Sequence, residues 1–195
     1  EIKEVFTQIY PTKEFRYNAE IKYSAKFKPY NARVKLQGNN LVFNLSREWK
    51  EVDNSIVTGL IQVLLLKIIG GKAKTMNIEL YYNFLKKLPT FTPTKYSEPY
   101  LIESFNRVNL RYFDGLMEQP TLIWGQDSKR KLAHYDLHSN AIVVSTIFQK
   151  TPLLLLDYVM YHEMLHKKHK FTTNGKNCRF HTTAFREDEA GFENA

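Results

Sequence analysis

The chain has 195 residues, of which 43% are hydrophobic and 25% are charged. That apolar share at this length supports a folded core in one large or two small domains, and it excludes disordered, collagen-like and coiled-coil proteins. The single cysteine excludes an internal disulfide and a cysteine-rich zinc cluster. We therefore expect a globular cytoplasmic protein in which histidine and carboxylate side chains supply any ligands to a transition metal.

Basic side chains are concentrated in the first half of the chain. Residues 1–99 hold 16 Lys and Arg against 9 Asp and Glu, whereas residues 100–195 hold 12 against 11. Such a surplus attracts polyanions, so nucleic acid is a candidate partner, although the same charge can serve solubility alone. The longest apolar run, residues 56–69, is too short and too interrupted to cross a bilayer, so no membrane partner is expected.

The first half has the pattern of a small sheet followed by helices. Residues 15–45 are predicted to form strands, with polar and apolar alternation in 15–23 and a hairpin turn at 38–40 between strands at 32–36 and 41–45. Asp53, Asn54 and Ser55 then offer N-cap side chains for a buried helix that runs to Ile69 and ends at Gly70 and Gly71, and a second helix is expected over 76–88. Basic and aromatic residues mix on the sheet, which suggests base stacking as one way to bind single strands: Tyr17, Lys22, Tyr23, Lys26, Phe27, Lys28, Tyr30, Arg33 and Lys35.

A proline-rich stretch at 89–99 marks a domain boundary between a basic α+β domain, 1–92, and a second domain, 97–195. After a helix over 99–113, strands are predicted at 121–125, 132–136 and 141–145, and a small antiparallel sheet is the expected product. Thr151 as N-cap and Pro152 as first residue then open a helix from 153 to about 170. The fold class is therefore α+β, with a small antiparallel sheet packed against helices.

That last helix contains the motif H-E-x-x-H at residues 162–166. At 3.6 residues per turn, His162 and His166 lie on one face about one turn apart, where both imidazoles can bind one zinc ion. Glu163 lies beside them on the helix surface, within reach of a water on the metal, and is the candidate catalytic base. His134, Tyr135 and Arg179 are candidate donors to a developing oxyanion.

A catalytic zinc site needs a third protein ligand. His169 lies about one further turn along the same helix, too far for an undistorted helix to bring all three nitrogens to one ion. His181 can fold back over the metal from beyond the turn near residue 175, and Glu187 and Glu189 on a final helix are alternatives.

These residues resemble the SprT-like (Spartan-related) zinc metallopeptidase domain family. The resemblance covers about residues 97–193, and its specific parts are the H-E-x-x-H motif and a later H-x-x-x-F at 181–185. It implies that His181 is the third zinc ligand beside His162 and His166, that Phe185 is a packing residue, and that the activity is peptide hydrolysis with a Zn²⁺ cofactor. Where the family usually has glycine, this chain has Ala133 and Thr182.

The two halves of the sequence can be aligned with each other. Aligning residues 53–72 with 151–170, an offset of 98, superimposes the two buried helices and puts Leu64, Leu65 and Ile68 at the positions of His162, Glu163 and His166. The first half is then a degenerate, metal-free copy, or simply another strand and helix segment.

Two functions follow from the sequence. The first is a zinc metallopeptidase that acts on a protein or peptide substrate. The alternative is a catalytically latent zinc-containing binding protein that contacts nucleic acid or a protein partner through its basic half.

Overall fold

The computed structural model describes residues 2–91, 96–173 and 177–193. The chain divides into two compact units. The first comprises Glu1–Lys87 and Thr173–Cys178, and the second comprises Leu88–Thr172 and Arg179–Ala195. Helices and small sheets occur in both units, so the protein belongs to the α+β class. None of the described helices combines the length and apolar character that a membrane crossing requires.

The first unit places a three-stranded sheet against helices. Its elements are α1 (Ile2–Ile9), β1 (Asn18–Ser24), β2 (Ala32–Gln37), β3 (Asn40–Ser46), a 3-10 helix (Arg47–Glu51) and α2 (Asn54–Ile69), followed by α3 (Met76–Phe91). Strand β3 is central, parallel to β1 and antiparallel to β2. Its alternate residues Leu41, Phe43 and Leu45 are fully buried, as the sequence pattern predicts for one face of a half-buried sheet.

The helix N-cap, the helix end and the hairpin turn that were predicted for this unit are confirmed. Asp53 is the N-cap of α2, and its carboxylate accepts a hydrogen bond from the Ser55 amide at 2.8 Å. Gly70 follows the helix with φ of +90°, a backbone conformation that glycine adopts without a Cβ clash. The turn between β2 and β3 contains Gly38 at φ of +58°.

The outer face of this first sheet carries the exposed side chains of Lys22, Arg33 and Lys35, together with Glu20, whose carboxylate lies 2.7 Å from the Lys22 ammonium. The aromatic rings near it have partners inside the unit. Tyr17 packs on Phe6 with ring centroids 6.1 Å apart, and the Arg33 guanidinium lies 4.9 Å from the centre of the Phe27 ring. Because these rings are already engaged, charge alone supports a polyanion there, and nucleic-acid binding stays a prediction.

The second unit also places a three-stranded sheet against helices, and its strands are shorter. Its elements are α4 (Pro99–Tyr112), β4 (Thr121–Trp124), β5 (Ala133–Asp136), β6 (Ala141–Val144), a 3-10 helix (Thr146–Lys150), α5 (Leu153–His169) and α6 (Thr183–Glu189). The two-residue strands β7 (Thr172–Thr173) and β8 (Cys178–Arg179) pair with each other. The sheet order is β4-β6-β5, with β4 parallel and β5 antiparallel to β6.

The expectation of an antiparallel sheet is therefore wrong for β4. The turn before Asn140 makes β5 and β6 an antiparallel hairpin, but β4 pairs with the other edge of β6, where it runs parallel. Alternation of apolar residues specifies a strand without specifying its neighbour, so the sequence does not exclude this pairing.

Helix α5 is anchored in the core of the second unit by Leu156, Met160 and Met164, which are completely buried. Leu155, next to Leu156 on this helix, is half exposed. The helix begins at Leu153. Its N-cap is Pro152, one residue after the predicted N-cap, Thr151. The backbone of Pro152 is extended, with ψ of 142°, and so lies outside the helix.

Candidate metal centre

His162 and His166 lie one turn apart on α5, and their Nε2 atoms are 3.2 Å apart. Zinc bonds histidine nitrogen at about 2.0 to 2.1 Å in tetrahedral geometry, which separates two such nitrogens by about 3.3 Å. The pair therefore has the spacing of two ligands on one zinc ion, as the H-E-x-x-H motif predicts.

His181 joins this pair from the segment that precedes α6. One ligand atom from each of His162, His166 and His181 lies within 4.8 Å of the others, and this is the one group of three or more such side chains suited to a metal among the described residues. The backbone around His181 is held by two bonds. The Arg179 Nε donates to the His181 carbonyl at 3.3 Å, and the Thr182 hydroxyl accepts from the Phe185 amide at 3.2 Å.

The structure separates the other third-ligand candidates from this cluster. Glu189 lies 2.6 Å from Nδ1 of His162, the ring nitrogen opposite the cluster. Nε2 of His169 lies 2.8 Å from the Asp188 carboxylate. Glu187 is exposed on α6. None of these three belongs to the group of possible metal ligands among the described residues.

Glu189 is the functional candidate whose role the sequence analysis missed, because it was considered only as a ligand. A carboxylate on Nδ1 of a ligating histidine fixes the N–H on that nitrogen and directs the Nε2 lone pair to the metal. The Tyr158 hydroxyl donates to the same Glu189 oxygen at 3.5 Å, which helps to hold it there. The sequence signal for this role of Glu189 was its position on a final helix that follows the third histidine.

Phe185 packs beneath the three imidazoles. Its ring is fully buried, with centroids 5.3 Å from His162 and 4.8 Å from both His166 and His181. Because the ring fills the space below the cluster, it restricts the orientations that the histidines can adopt.

Glu163 is buried rather than on the helix surface, with 5% of its area exposed. Its carboxyl accepts a hydrogen bond from the backbone amide of Tyr135 in β5, and its Oε2 atom has no hydrogen-bond partner among the described residues. Burial raises the pKa of Glu163 to about 7, against opposing effects from His162, Tyr135 and Lys131. A buried carboxyl oxygen without a partner beside three imidazoles fits a site that receives a metal and its water.

The imidazole of His166 is kept neutral. Burial, and then the charges of His162, His181 and His169, lowers the pKa of His166 to about 4. A neutral imidazole is the form that binds a metal, so at neutral pH His166 needs no deprotonation before it can act as a ligand.

The three candidate oxyanion donors have different positions. The Tyr135 hydroxyl donates to Asn140 Oδ1 at 3.0 Å, and burial raises its pKa above the ordinary value. His134 points to the opposite face of the sheet, with Val143 as its cross-strand neighbour. The Arg179 guanidinium Nε is engaged by the His181 carbonyl.

Comparisons of the chain with protein-family models, with curated proteins and with solved structures find no match. The site consists of three imidazoles with converging nitrogens, a buried Glu163 and the carboxylate of Glu189.

Replacing Glu189 with glutamine is expected to weaken zinc binding by about 10- to 100-fold, the usual effect of removing a carboxylate that orients a ligating histidine. Competition with a chromophoric chelator measures the affinity. Glu187→Gln is the matched control, since it makes the same change two residues away on an exposed part of α6. Equal affinities for the two variants would contradict this role of Glu189.

A stability difference that depends on pH is expected between the metal-free wild type and metal-free Glu163→Gln. Since the pKa of Glu163 is raised from 4.5 to about 7, the folded state keeps a proton that the unfolded chain releases. Ionisation of Glu163 therefore destabilises the wild-type fold as pH rises through this window, by up to about 3 kcal/mol above pH 7. The variant has no ionisable group at this position, so its stability does not fall in this way.

Denaturant unfolding at about pH 4.5 and pH 8 measures this difference. His166 has a lowered pKa and stabilises both proteins as pH rises from about 4 to 6.5, so its contribution cancels in the comparison. A gap between wild type and variant that is the same at both pH values would show that Glu163 is not a buried carboxyl.

Proposed function

We propose that this protein is a zinc-dependent metallopeptidase. The observation that carries the proposal is the convergence of His162, His166 and His181 beside a buried Glu163. Three histidine ligands leave a fourth zinc position for water or substrate, which is typical of catalytic rather than structural zinc sites. A purely structural site has no use for a buried carboxyl group with an unpartnered oxygen.

When bound, zinc supplies Lewis-acid polarisation of a carbonyl and lowers the pKa of a coordinated water. The chain's own residues move the proton. The Glu163 carboxylate accepts it from the water as the oxygen attacks the peptide carbonyl carbon, and the Glu163 carboxyl then donates it to the leaving amine. The Tyr135 amide holds the Glu163 carboxyl in place during both transfers.

The order of these residues along the chain supports assignment to the SprT-like family. A helix with H-E-x-x-H precedes a third histidine and a buried phenylalanine four residues later, Phe185. In this assignment Phe185 packs under the ligands, and the ring distances are consistent with that role.

We also propose that the two units are copies of one ancestral unit. Each has a sheet whose third strand is central, parallel to the first strand and antiparallel to the second. Each continues through a buried serine, Ser46 or Ser145, and a five-residue 3-10 helix into the long helix. Such a shared succession supports duplication more strongly than the helices alone.

In this proposal the helix starts favour an alignment of the two halves with an offset of 99 residues, one more than the offset of 98. Asp53 and Pro152 are both N-caps, which supports this offset. Val63, Leu64 and Lys67, instead of Leu64, Leu65 and Ile68, then match His162, Glu163 and His166. Because these three side chains offer no ligand that zinc prefers at neutral pH, the proposal includes one zinc per chain.

Metal analysis combined with proteolysis tests the proposed function. The purified chain should contain one zinc and should hydrolyse an unfolded protein, and a chelator should abolish the hydrolysis until zinc is restored. A chain that binds one zinc but hydrolyses no unfolded protein or peptide would favour the alternative, a latent zinc-containing binding protein.

A further inference from the structure

A cavity of 330 Å³ lies on the outer face of the second sheet, away from the helices. The strand residues Val143 and His134 line it, and the segment that joins β4 to β5 supplies Gly125, Gln126, Ser128 and Lys131. The first residue after β6, Ser145, completes the lining. All of these residues belong to the second unit, which also contains the metal centre.

The wall of this cavity is held in one conformation by hydrogen bonds around Ser145, which is 3% exposed. Its hydroxyl accepts from the Ser128 amide at 2.9 Å and donates to the Gln126 carbonyl at 3.1 Å. Its backbone amide donates to the Leu132 carbonyl at 2.8 Å. The segment is therefore tied down at three points, so the cavity is already formed before a ligand arrives.

The polar lining is rich in hydrogen-bond donors. Lys131 contributes an ammonium group, and no acidic side chain pairs with it among the described residues. The Ser128 hydroxyl accepts from the Lys131 amide at 3.0 Å, which leaves its hydrogen available to donate. Asp127, the acidic residue of this segment, is exposed and does not line the cavity. Several donors and one cation, with no carboxylate in the lining, suit an anionic ligand.

Strand β5, an edge strand of the second sheet, connects this cavity to the candidate base. Lys131 precedes β5 by two residues, and the Tyr135 amide of the same strand donates to the Glu163 carboxyl. The positive charge of Lys131 favours the ionised form of Glu163, as the smallest of the effects that oppose burial. Since successive side chains of a strand point to opposite faces of a sheet, a peptide that pairs with the edge strand β5 near Glu163 would turn alternate side chains toward the outer face, where the cavity lies.

We propose that this cavity is a specificity pocket for an acidic side chain, Asp or Glu, of the peptide substrate, close to the bond that is cleaved. The carboxylate pairs with the Lys131 ammonium and accepts from the Ser128 hydroxyl. The inference rests on the proposed peptidase function, since it names the substrate class for that site.

Positional peptide libraries with a fluorescent readout test the proposal with the zinc-loaded chain. At one position near the cleaved bond, kcat/KM should be about tenfold higher for Glu than for Lys, as expected for a partly exposed charge pair with an added hydrogen bond. Lys131→Glu should reverse that preference. Lys129→Glu is the matched control, because it makes the same charge change on the same segment outside the lining and should preserve the preference.

Binding to zinc-loaded Glu163→Gln separates this inference from the proposed function. Fluorescence anisotropy should show about tenfold tighter binding of the Glu peptide than of the Lys peptide, with reversal in Glu163→Gln/Lys131→Glu. Hydrolysis without a preference for acidic residues at any position would overturn the pocket and leave the peptidase standing. Selective binding of acidic peptides that the wild type never cleaves would support the pocket and overturn the peptidase. Equal binding of both peptides would overturn the pocket whatever the wild type cleaves.

Discussion

Replacing Glu163 with glutamine is expected to remove peptide hydrolysis and leave one zinc bound per chain. The amide keeps the shape of the side chain and can still accept the hydrogen bond from the Tyr135 amide, but it cannot take a proton from water. General-base catalysis alone contributes about 10² to 10⁴ in rate, so kcat should fall by at least that factor. Zinc content and turnover of a fluorogenic peptide, measured on the same sample, give both quantities.

Glu187→Gln is the matched control for this variant, since it removes one carboxylate from an exposed position on α6 and should retain activity. Unchanged turnover in zinc-replete Glu163→Gln would remove Glu163 as the base. Loss of activity together with loss of zinc would instead place the carboxyl among the groups that hold the metal.

Replacing His181 with alanine is expected to lower zinc affinity by about 10² to 10³. The binding free energy of a four-ligand zinc site, about 10 to 16 kcal/mol, amounts to about 2.5 to 4 kcal/mol for each ligand. Because His181 is exposed, its truncation leaves the core of the unit intact. Chelator competition measures the affinity, and denaturant unfolding of the metal-free proteins checks that the fold is unchanged.

His169→Ala is the matched control for this change. His169 lies on the same helix as the other two ligands, but its Nε2 atom contacts Asp188 and does not belong to the cluster. The control should therefore bind zinc nearly as tightly as the wild type. If His169→Ala releases zinc and His181→Ala retains it, the assignment of the third ligand is wrong.

The sequence alone determined the parts of the protein that depend on residues close together in the chain. Asp53 precedes α2 as its cap, and Gly70 follows its end, because each acts on backbone groups within one turn. The spacing of His162 and His166 predicts neighbouring nitrogens because four residues make about one helical turn, and the 3.2 Å separation agrees.

Only the tertiary structure decided which distant segments meet. β4 pairs in parallel with β6, at one edge of the hairpin that β5 and β6 form. The alternation of residues in β4 is the same whichever hairpin edge it joins, so the sequence does not determine this pairing. Glu189 lies 27 positions after His162 and contacts its Nδ1 atom. Whether Glu189 binds the metal or orients a ligating histidine depends on how α6 packs on α5. The burial of Glu163 against the Tyr135 amide has the same origin. Hydrogen bonds and pKa shifts of this kind arise from packing between segments, so the local pattern names the residues of the site, and the packing decides what each one contacts.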